Sequence, residues 1–376
     1  MLQTSIKGEG VKKTNNNIMR ILAFISAITL SVNSLLVSAQ SQNDEDRFTM
    51  HGYMDIVFLA ANSKPLDRDI AFLSMYRTNI MPQYVISSKF KATILLEGAD
   101  LFRLDEASDS DKPGIVEWAY LTYNHNSHFN LKVGTFAVPF GIYNERFYAS
   151  PTQLTSFLPS SLYFKHNFKD ESGNNFSTFL FPRSPSGLMI FGKLANSGKH
   201  YLSYQTYYGN ESPGGSLIGL NKYVGGRIRY ENANDKIRIG SSYNAYLDAN
   251  KLVNSALGFD VELNFNNFQL STEYIAAKIG KRDSLSANLP GEFYQSRGGY
   301  FQLGYTIKET VTPYFRYDLF DHSTQFNDDQ QTTLVSGVNI AFHPQVIFKV
   351  EAYLSRFQDV GKDKSNILIS TLSIAF

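Results

Sequence analysis

The chain of 376 residues contains no cysteine, and this absence excludes several classes of protein at once. Without thiols there are no disulfides, no thiolate metal ligands and no cysteine nucleophiles. An excess of one charge sign is also missing, since 35 basic and 34 acidic residues give a net charge of +1. The composition therefore does not indicate a protein that binds nucleic acid. The mean hydropathy of −0.23 excludes a bundle of membrane-spanning helices, because each such helix needs about 20 consecutive apolar residues.

The long apolar stretch near the N-terminus predicts a signal peptide over residues 1–39. Four basic residues precede the apolar residues 21–37, and Val37, Ser38 and Ala39 have the small side chains of a cleavage site. A membrane anchor is the alternative, and it is disfavoured because the stretch is short and interrupted by polar side chains. We therefore expect export, cleavage after Ala39 and a mature domain over residues 40–376.

After residue 40, apolar and polar residues alternate with a period of two, which predicts β-strands. In residues 48–58 one parity carries Phe48, Met54 and Phe58, whereas the other carries His51 and Asp55. No amphipathic helical stretch of comparable length interrupts the pattern. We predict sixteen strands, near residues 48–60, 71–86, 90–102, 114–123, 129–138, 187–195, 200–209, 223–231, 236–248, 255–265, 268–280, 294–307, 312–323, 332–343, 347–359 and 366–376.

The connections between these strands alternate between short turns and long polar loops. Short turns at one rim and long loops at the other are typical of a transmembrane barrel. Lipid offers the backbone no hydrogen-bond partner, so only a sheet without edges can span a membrane. The 29 phenylalanines and 23 tyrosines fit aromatic girdles at the two membrane interfaces. The fold class predicted is all-β: a transmembrane antiparallel β-barrel of about 16 strands with a long, inward-folded third loop.

The C-terminus carries a pattern of its own. The chain ends on Phe376, after Leu368, Leu372 and Ile374 on the same parity. This ending resembles the signal that outer-membrane proteins present to the barrel-assembly machinery. We therefore expect Phe376 to act as an assembly signal, and the bacterial outer membrane, with its lipid around the barrel, to be the location of the mature protein.

A motif at the end of the fifth predicted strand carries a resemblance to a known family. Gly134, Phe136, Pro139, Phe140 and Gly141 fit the pattern G-x-F-x-x-P-F-G. With residues 51–53 (HGY) and 117–120 (EWAY), the mature chain resembles outer-membrane porins of the phosphate-selective porin O and P type. The resemblance implies a homotrimer of sixteen-stranded barrels. It also implies that a third loop, here residues 139–186, narrows a water-filled bore through which small hydrophilic solutes or ions diffuse passively.

The charged residues of this third loop are candidates for the pore constriction, because rings of charge set selectivity at short range. Pro139 and Gly141 would let the backbone leave the sheet and turn inward, since proline cannot donate a hydrogen bond and glycine tolerates positive φ. The constriction candidates are Glu145, Arg146, Lys165, His166, Lys169, Asp170 and Glu171.

Charged residues on the inward parity of the strands are candidates for the lumen wall. Arg227, Arg229 and Arg238 would form a local positive ladder on two adjacent strands. Acidic residues on the same parity favour inward ion pairs without a strong preference for one sign of ion. The predicted wall residues are Lys91, Lys132, Arg227, Arg229, Arg238, Asp260, Glu262, Lys349 and Glu351.

Two other functions remain open at this point. A substrate-specific uptake channel for phosphate, another anion or a sugar would share the architecture, and the aromatic residues of the third loop are compatible with it. An outer-membrane barrel enzyme would need a catalytic constellation. No G-x-S-x-G or H-E-x-x-H motif occurs around the 7 histidines, so we predict no enzyme, no catalytic residues, no metal and no cofactor.

Overall fold

The computed structural model describes residues 47–63, 68–103, 115–146, 150–169, 175–211, 221–232, 236–247, 253–280, 293–324, 329–358 and 364–376. The predicted signal peptide, residues 1–39, lies outside these ranges. Among the described residues, no helix has the length and apolar character needed to cross a membrane.

Eighteen strands are present in the described ranges, and sixteen of them close a single antiparallel barrel. The barrel strands follow one another in chain order around the wall, except that β5 pairs directly with β8. The barrel strands are β1 (Phe48–Ser63), β2 (Arg68–Val85), β3 (Phe90–Arg103), β4 (Ile115–Asn124), β5 (Asn130–Thr135), β8 (Ser186–Asn196), β9 (His200–Glu211), β10 (Asn221–Asn232), β11 (Ile237–Leu247), β12 (Val253–Phe265), β13 (Phe268–Gly280), β14 (Phe293–Tyr305), β15 (Val311–Asp321), β16 (Gln330–His343), β17 (Val346–Phe357) and β18 (Lys364–Ala375).

The chain between β5 and β8 contains short elements only. β6 (His166–Lys169) and β7 (Asn175–Thr178) form a separate two-stranded sheet. One α-helical turn, α1 (Ser160–Tyr163), and two 3-10 turns, Asn144–Arg146 and Ser150–Thr152, precede this hairpin.

The first and last strands close the barrel. β1 pairs with β18 from Tyr53 opposite Ala375 to Ser63 opposite Ser365. At the end of the ladder, the Gly52 amide donates to the Phe376 carbonyl at 2.8 Å, and the Phe376 amide donates to the Gly52 carbonyl at 2.9 Å. The C-terminal residue therefore takes part in the closing hydrogen bonds, and the sheet has no free edge here.

The two faces of the wall differ in polarity as the alternation predicts. In β14, Phe301 is 42% exposed on the outside, whereas neighbouring Tyr300 is 4% exposed on the inside. Outward-facing side chains elsewhere are mostly apolar or aromatic, and buried inward-facing side chains include many charged and hydroxyl groups. An apolar exterior suits contact with hydrocarbon, and inward polar groups need partners inside the barrel.

The sixteen predicted strands agree with the sixteen barrel strands, mostly within two or three residues at each end. β5 is shorter than predicted, because it ends at Thr135 and not at residue 138. Phe136 and Val138 continue the apolar alternation, but both are fully buried. The predicted third loop, residues 139–186, contains the short strands β6 and β7.

Candidate functional site in the barrel interior

The segment between β5 and β8, residues 136–185, contacts inward-facing side chains on several parts of the wall. Its described residues hydrogen-bond with Glu262 of β12, Glu273 of β13, Arg316 of β15 and Glu351 of β17. Because these four side chains all point inward, the described residues of this segment lie within the barrel. We call residues 136–185 the inner segment.

Two glycines mark where the inner segment leaves the wall. Gly134, at the end of β5, has φ +129°, and Gly141 has φ +65°. A Cβ atom on Gly141 would collide with the carboxylate of Glu273 and the hydroxyl of Tyr163. Positive φ and close approach both require glycine here. Between the two glycines the backbone still pairs with the returning chain, through Val138 N to the Arg183 carbonyl at 3.1 Å.

Glu273 of β13 holds the first part of the inner segment. Its Oε2 accepts a hydrogen bond from the Ile142 amide at 3.0 Å and one from the Tyr163 hydroxyl at 2.8 Å. Its Oε1 accepts a hydrogen bond from the Tyr300 hydroxyl of β14 at 2.7 Å. The Tyr163 hydroxyl also accepts a hydrogen bond from the Tyr143 amide at 2.9 Å. A buried carboxylate satisfied by several donors fixes their relative positions.

Glu351 of β17 repeats this arrangement farther along the inner segment. Both of its carboxylate oxygens lie 3.0 Å from the Ser156 amide, and its Oε1 accepts hydrogen bonds from the hydroxyls of Tyr314 and Tyr353. The Tyr353 hydroxyl in turn accepts a hydrogen bond from the Phe157 amide at 3.3 Å. Each of the two glutamates therefore binds two tyrosine hydroxyls and one backbone amide of the inner segment. We call them the Glu273 clamp and the Glu351 clamp.

Basic wall residues bind the acceptor groups of the same stretch. Arg316 Nη1 donates to the Thr155 Oγ1 at 2.7 Å and to the Phe157 carbonyl at 3.0 Å, while its Nε pairs with Asp318 at 3.1 Å. Lys349 Nζ donates to the Gln153 carbonyl at 2.7 Å. The inner segment thus hydrogen-bonds the wall through both donors and acceptors, which leaves it little freedom to move as a unit.

The β6–β7 hairpin packs its aromatic side chains under the end of β15. The imidazole of His166 stacks on Phe320 with a centroid distance of 3.6 Å, and the ring of His322 lies 5.7 Å away. The Nε2 of His166 is buried without a hydrogen-bond partner. Burial, followed by the proximity of His322, lowers the pKa of His166 to about 3. His166 is therefore a neutral packing residue and does not contribute charge at neutral pH.

Arg146 and Arg238 share one carboxylate at the edge of the inner segment. Arg146 donates to Glu262 through two nitrogens, at 2.8 and 3.2 Å, and Arg238 of β11 donates to the same carboxylate at 3.4 Å. The Arg146 side chain keeps 33% of its surface exposed. Two cations around one anion leave a net charge of +1 on a partly exposed group.

The other two arginines of the predicted ladder each have their own acidic partner. Arg227 pairs with Asp260 at 2.7 Å, and both side chains are almost fully buried, at 3% and 2% exposure. Arg229 pairs with Glu231, and the Arg229 side chain is 31% exposed. Arg227, Arg229 and Arg238 face inward as their parity predicts, but ion pairs balance most of their charge locally.

Lys132 of β5 carries an inward positive charge in aromatic surroundings. Its ammonium lies 4.6 Å from the ring centre of Tyr120, 5.8 Å from that of Phe191 and 5.9 Å from that of Phe136. Within the described part of the chain, Lys132 has no ion-pair partner. Cation–π contacts hold an ammonium in place without neutralising it.

Lys91 and Glu145 are two further charged groups near the inner segment. Lys91 lies 3.5 Å from the Gln83 side-chain oxygen, and Glu145 accepts a hydrogen bond from Gln205 at 3.0 Å. We define the charged belt as the partly exposed groups on and near the inner segment, together with the buried Glu231 that pairs with Arg229: Lys91, Glu117, Lys132, Glu145, Arg146, Arg183, Arg229, Glu231, Arg238 and Glu262.

The remaining predicted residues lie elsewhere. Lys165 is exposed, and its ammonium lies 5.5 Å from the ring centre of Phe179. Lys349 and Glu351 face inward but are covered by the inner segment, at 0% and 1% exposure. Lys169 lies in β6, with its side chain outside the description, and Asp170 and Glu171 lie outside the described residues.

The tyrosines of the two clamps could not be recognised from composition. Tyr300, Tyr314 and Tyr353 lie on the inward parity of their strands, whereas the tyrosine surplus was assigned to membrane girdles. The inward parity is a signal that could have separated them from outward tyrosines such as Tyr274. Glu273 lies on the inward parity of β13, but Tyr163 and Ile142, which bind it, lie far away in the sequence.

Among the described residues there is no group of three or more histidine, aspartate or glutamate side chains that could hold a metal ion. No family model and no curated protein matches the sequence. Likeness to known proteins therefore rests on three-dimensional structure.

Several solved structures of outer-membrane proteins have a similar fold. The anion-selective porin from Comamonas acidovorans superposes with a TM-score of 0.61 and 12% identity, covering 88% of this chain and 99% of that one. Salmonella typhi OmpF, in complex with daunomycin, gives 0.59 and 11%, covering 89% and 99%. The outer-membrane channel DcaP of Acinetobacter baumannii gives 0.54 and 12%, covering 88% and 98%. At these identities the likeness establishes a shared barrel fold.

Proposed function

We propose that the protein is an outer-membrane porin through which small hydrophilic solutes or ions diffuse passively. The observation that carries this proposal is the combination of a closed sixteen-stranded barrel with an inner segment that is hydrogen-bonded to the inside of its wall at strands from β4 to β17. A barrel of this size is too wide for wall side chains to fill. The inner segment narrows the bore without filling it, and the charged belt lines the opening that remains.

The proposal includes the route and orientation of the protein. The signal peptide over residues 1–39 directs export, Phe376 presents the assembly signal to the barrel-assembly machinery, and the barrel is embedded in outer-membrane lipid. The short turns and both ends of the mature chain face the periplasm, and the long connections face the outside. Assembly as a homotrimer follows the family resemblance and agrees with the trimer form solved for the structurally similar OmpT of Vibrio cholerae.

An enzymatic role is the competing function, and the chemistry of the interior disfavours it. The buried Glu273 and Glu351 are saturated by tyrosine hydroxyls and backbone amides, which leaves neither placed as a base beside a nucleophile. The buried histidine His166 has aromatic and imidazole neighbours. We therefore propose transport without covalent chemistry, a cofactor or a metal.

Planar-bilayer recording of the purified, folded protein tests this function. We expect stable, ohmic openings that occur in groups of three if the protein is a trimer. Folded protein that gives no conductance would contradict the porin assignment and reopen the enzymatic alternative. Circular dichroism of the same sample should show β-structure, so that an unfolded preparation is not taken for a closed channel.

The charged belt favours a second, narrower function, which is a preference for anions. It contains six basic groups against four acidic ones: Lys91, Lys132, Arg146, Arg183, Arg229 and Arg238 against Glu117, Glu145, Glu231 and Glu262. A surplus of fixed positive charge in a narrow passage raises the local concentration of anions. The reversal potential under a salt gradient tests this preference. Saturable block by added phosphate or by a sugar would instead indicate a substrate-specific channel.

A further inference from the structure

The outward face of the barrel is unequally charged at its two ends. Near the long connections, five lysine and arginine side chains lie on the outward parity and are exposed to the surroundings. They occur on β10, β13, β14, β17 and β18. We call these residues the basic rim: Lys222, Lys278, Arg297, Arg356 and Lys364.

The opposite end of the outward face is apolar and aromatic. Phe265, Phe268, Tyr305, Phe342 and Phe376 are all exposed near the short turns. Among the described strand residues, the outward positions at this end include no lysine, arginine, aspartate or glutamate. The basic rim is thus a property of one end and not of the whole outer surface.

Two parts of the basic rim place cations next to each other. Arg356 and Lys364 are directly opposed across the β17–β18 ladder. On β13 and β14, Lys278 is opposed to Gln295, and Arg297 is its diagonal neighbour. Like charges directly opposite each other destabilise a sheet unless an anion lies between them. These pairs therefore fit a negatively charged group from outside the protein.

The sheet itself supplies little compensation. Within the described part of the chain, no basic-rim residue forms an ion pair. Asp321, on the outward parity of β15, is opposed to Arg297. Charge on the lipid-facing side is costly at the centre of a bilayer and nearly free at its interface. The basic rim therefore marks the level of the head groups.

We propose that the basic rim binds phosphate groups of lipid head groups in the outward-facing leaflet. Arg356 with Lys364 forms one subsite, and Lys278 with Gln295 and Arg297 forms the other. Guanidinium and ammonium groups donate to phosphate oxygens, while the neighbouring apolar side chains contact the acyl chains. This inference rests on the proposed orientation of the barrel, and it does not depend on what passes through the bore.

Native mass spectrometry of the full barrel in detergent tests the proposal with two matched probes. Dioctanoyl phosphatidic acid presents a phosphomonoester, and dioctanoyl phosphatidylcholine has the same chains but a zwitterionic head group. We expect the protein to retain phosphatidic acid in preference to phosphatidylcholine. Each charged group near an anionic head group contributes about a fivefold gain in affinity, so R356Q/K364Q and K278Q/R297Q should each weaken binding at their subsite by about 25-fold.

The control is K89Q/K236Q, which removes two exposed cations from turns at the opposite end. This variant should retain the preference for phosphatidic acid, and the quadruple rim variant should lose it. An unchanged preference in the quadruple variant would overturn the proposal. Displacement of the lipid by inorganic phosphate at equal concentration would also overturn it, because the site would then recognise free phosphate. Bilayer conductance should be the same in all variants, which separates this inference from the porin function.

Discussion

The hydroxyl of Tyr163 donates a hydrogen bond to Glu273 Oε2 at 2.8 Å, although the two residues are separated by 110 positions in the sequence. Tyr163 belongs to the inner segment and Glu273 to the wall, so this bond joins the two parts that define the opening in the proposed channel. The position of the inner segment against the wall therefore depends on a few buried polar contacts as well as on the barrel.

Glu273→Ala should loosen the inner segment. The change removes the acceptor for Ile142, Tyr163 and Tyr300 and leaves buried donors unsatisfied, which costs about 3 kcal/mol of stability. We expect a lower unfolding temperature in heat-modified electrophoresis, together with noisier single-channel currents. Glu231→Gln is the control, since Glu231 is an inward carboxylate whose hydrogen bond and ion pair are to wall residues. Quiet currents from Glu273→Ala would show that this clamp does not hold the segment.

Gly141→Ala and Gly198→Ala form a matched pair. Both glycines have positive φ, +65° and +79°, so alanine is strained at each by about 1–2 kcal/mol. A Cβ on Gly198 meets open space, whereas one on Gly141 would collide with Glu273 and Tyr163. We expect Gly141→Ala to reduce the free energy of unfolding by at least about 2 kcal/mol more than Gly198→Ala. Equal losses in denaturant titrations would contradict the close packing at Gly141.

Neutralising Arg146 and Arg238 together should shift ion preference toward cations. R146Q/R238Q leaves Glu262 without its two partners and converts a local charge of +1 to −1. We expect the reversal potential under a salt gradient to move in the cation-selective direction. Arg227→Gln should change the reversal potential far less, because Arg227 is buried against Asp260. Lys89→Gln, at an exposed turn, controls for a general loss of positive charge.

Acid should weaken the docking of the β6–β7 hairpin. His166 has a pKa of about 3 when packed, against about 6.5 when released, so above pH 6.5 its stabilising contribution is constant. As pH falls from about 6.5 toward 3, the released form binds an additional proton and the packed form loses stability, by about 2 kcal/mol at pH 5. Amide hydrogen exchange should therefore be faster in β6 and β7 at pH 5 than the intrinsic pH trend requires.

The variant His166→Phe tests the source of this acid effect. Phenylalanine retains a ring that can stack on Phe320 but cannot be protonated, so the extra exchange at pH 5 should disappear. His125→Gln, at an exposed turn of the barrel, should leave the effect intact. If His166→Phe kept the full acid effect, protonation of His322 or another nearby group would be responsible.

The barrel could be predicted from sequence because its rules are local. Alternation along each strand follows from lipid on one side and a polar interior on the other, so Phe301 and Tyr300 can be assigned to opposite faces without knowledge of the fold. This prediction is wrong at Phe136 and Val138. The apolar alternation continues through them into the inner segment, so the predicted fifth strand is longer than β5. Alternation identifies side chains that lie in an apolar environment, and it does not distinguish lipid from a packed protein interior.

The arrangement of the inner segment depends on contacts that no local pattern contains. Ser156 binds Glu351 across 195 positions, and Arg146 binds Glu262 across 116. Inward parity identifies the charged partners as a set, but pairing them requires the path of the inner segment. For this reason Arg227, Arg229 and Arg238 could be placed on the inner wall, whereas the acidic partner of each could not.

Closure of the barrel through Gly52 and Phe376 has a consequence for the order of biosynthesis. The Ser373 hydroxyl donates to Asp55 across 318 positions, so the seam between β1 and β18 forms only when the last residues of the chain have arrived. Until then both edge strands have unpaired backbone groups that could join another chain. An unfinished chain must therefore be kept from self-association until its last strand is present, and loss of β18 would leave an open sheet in place of a closed barrel.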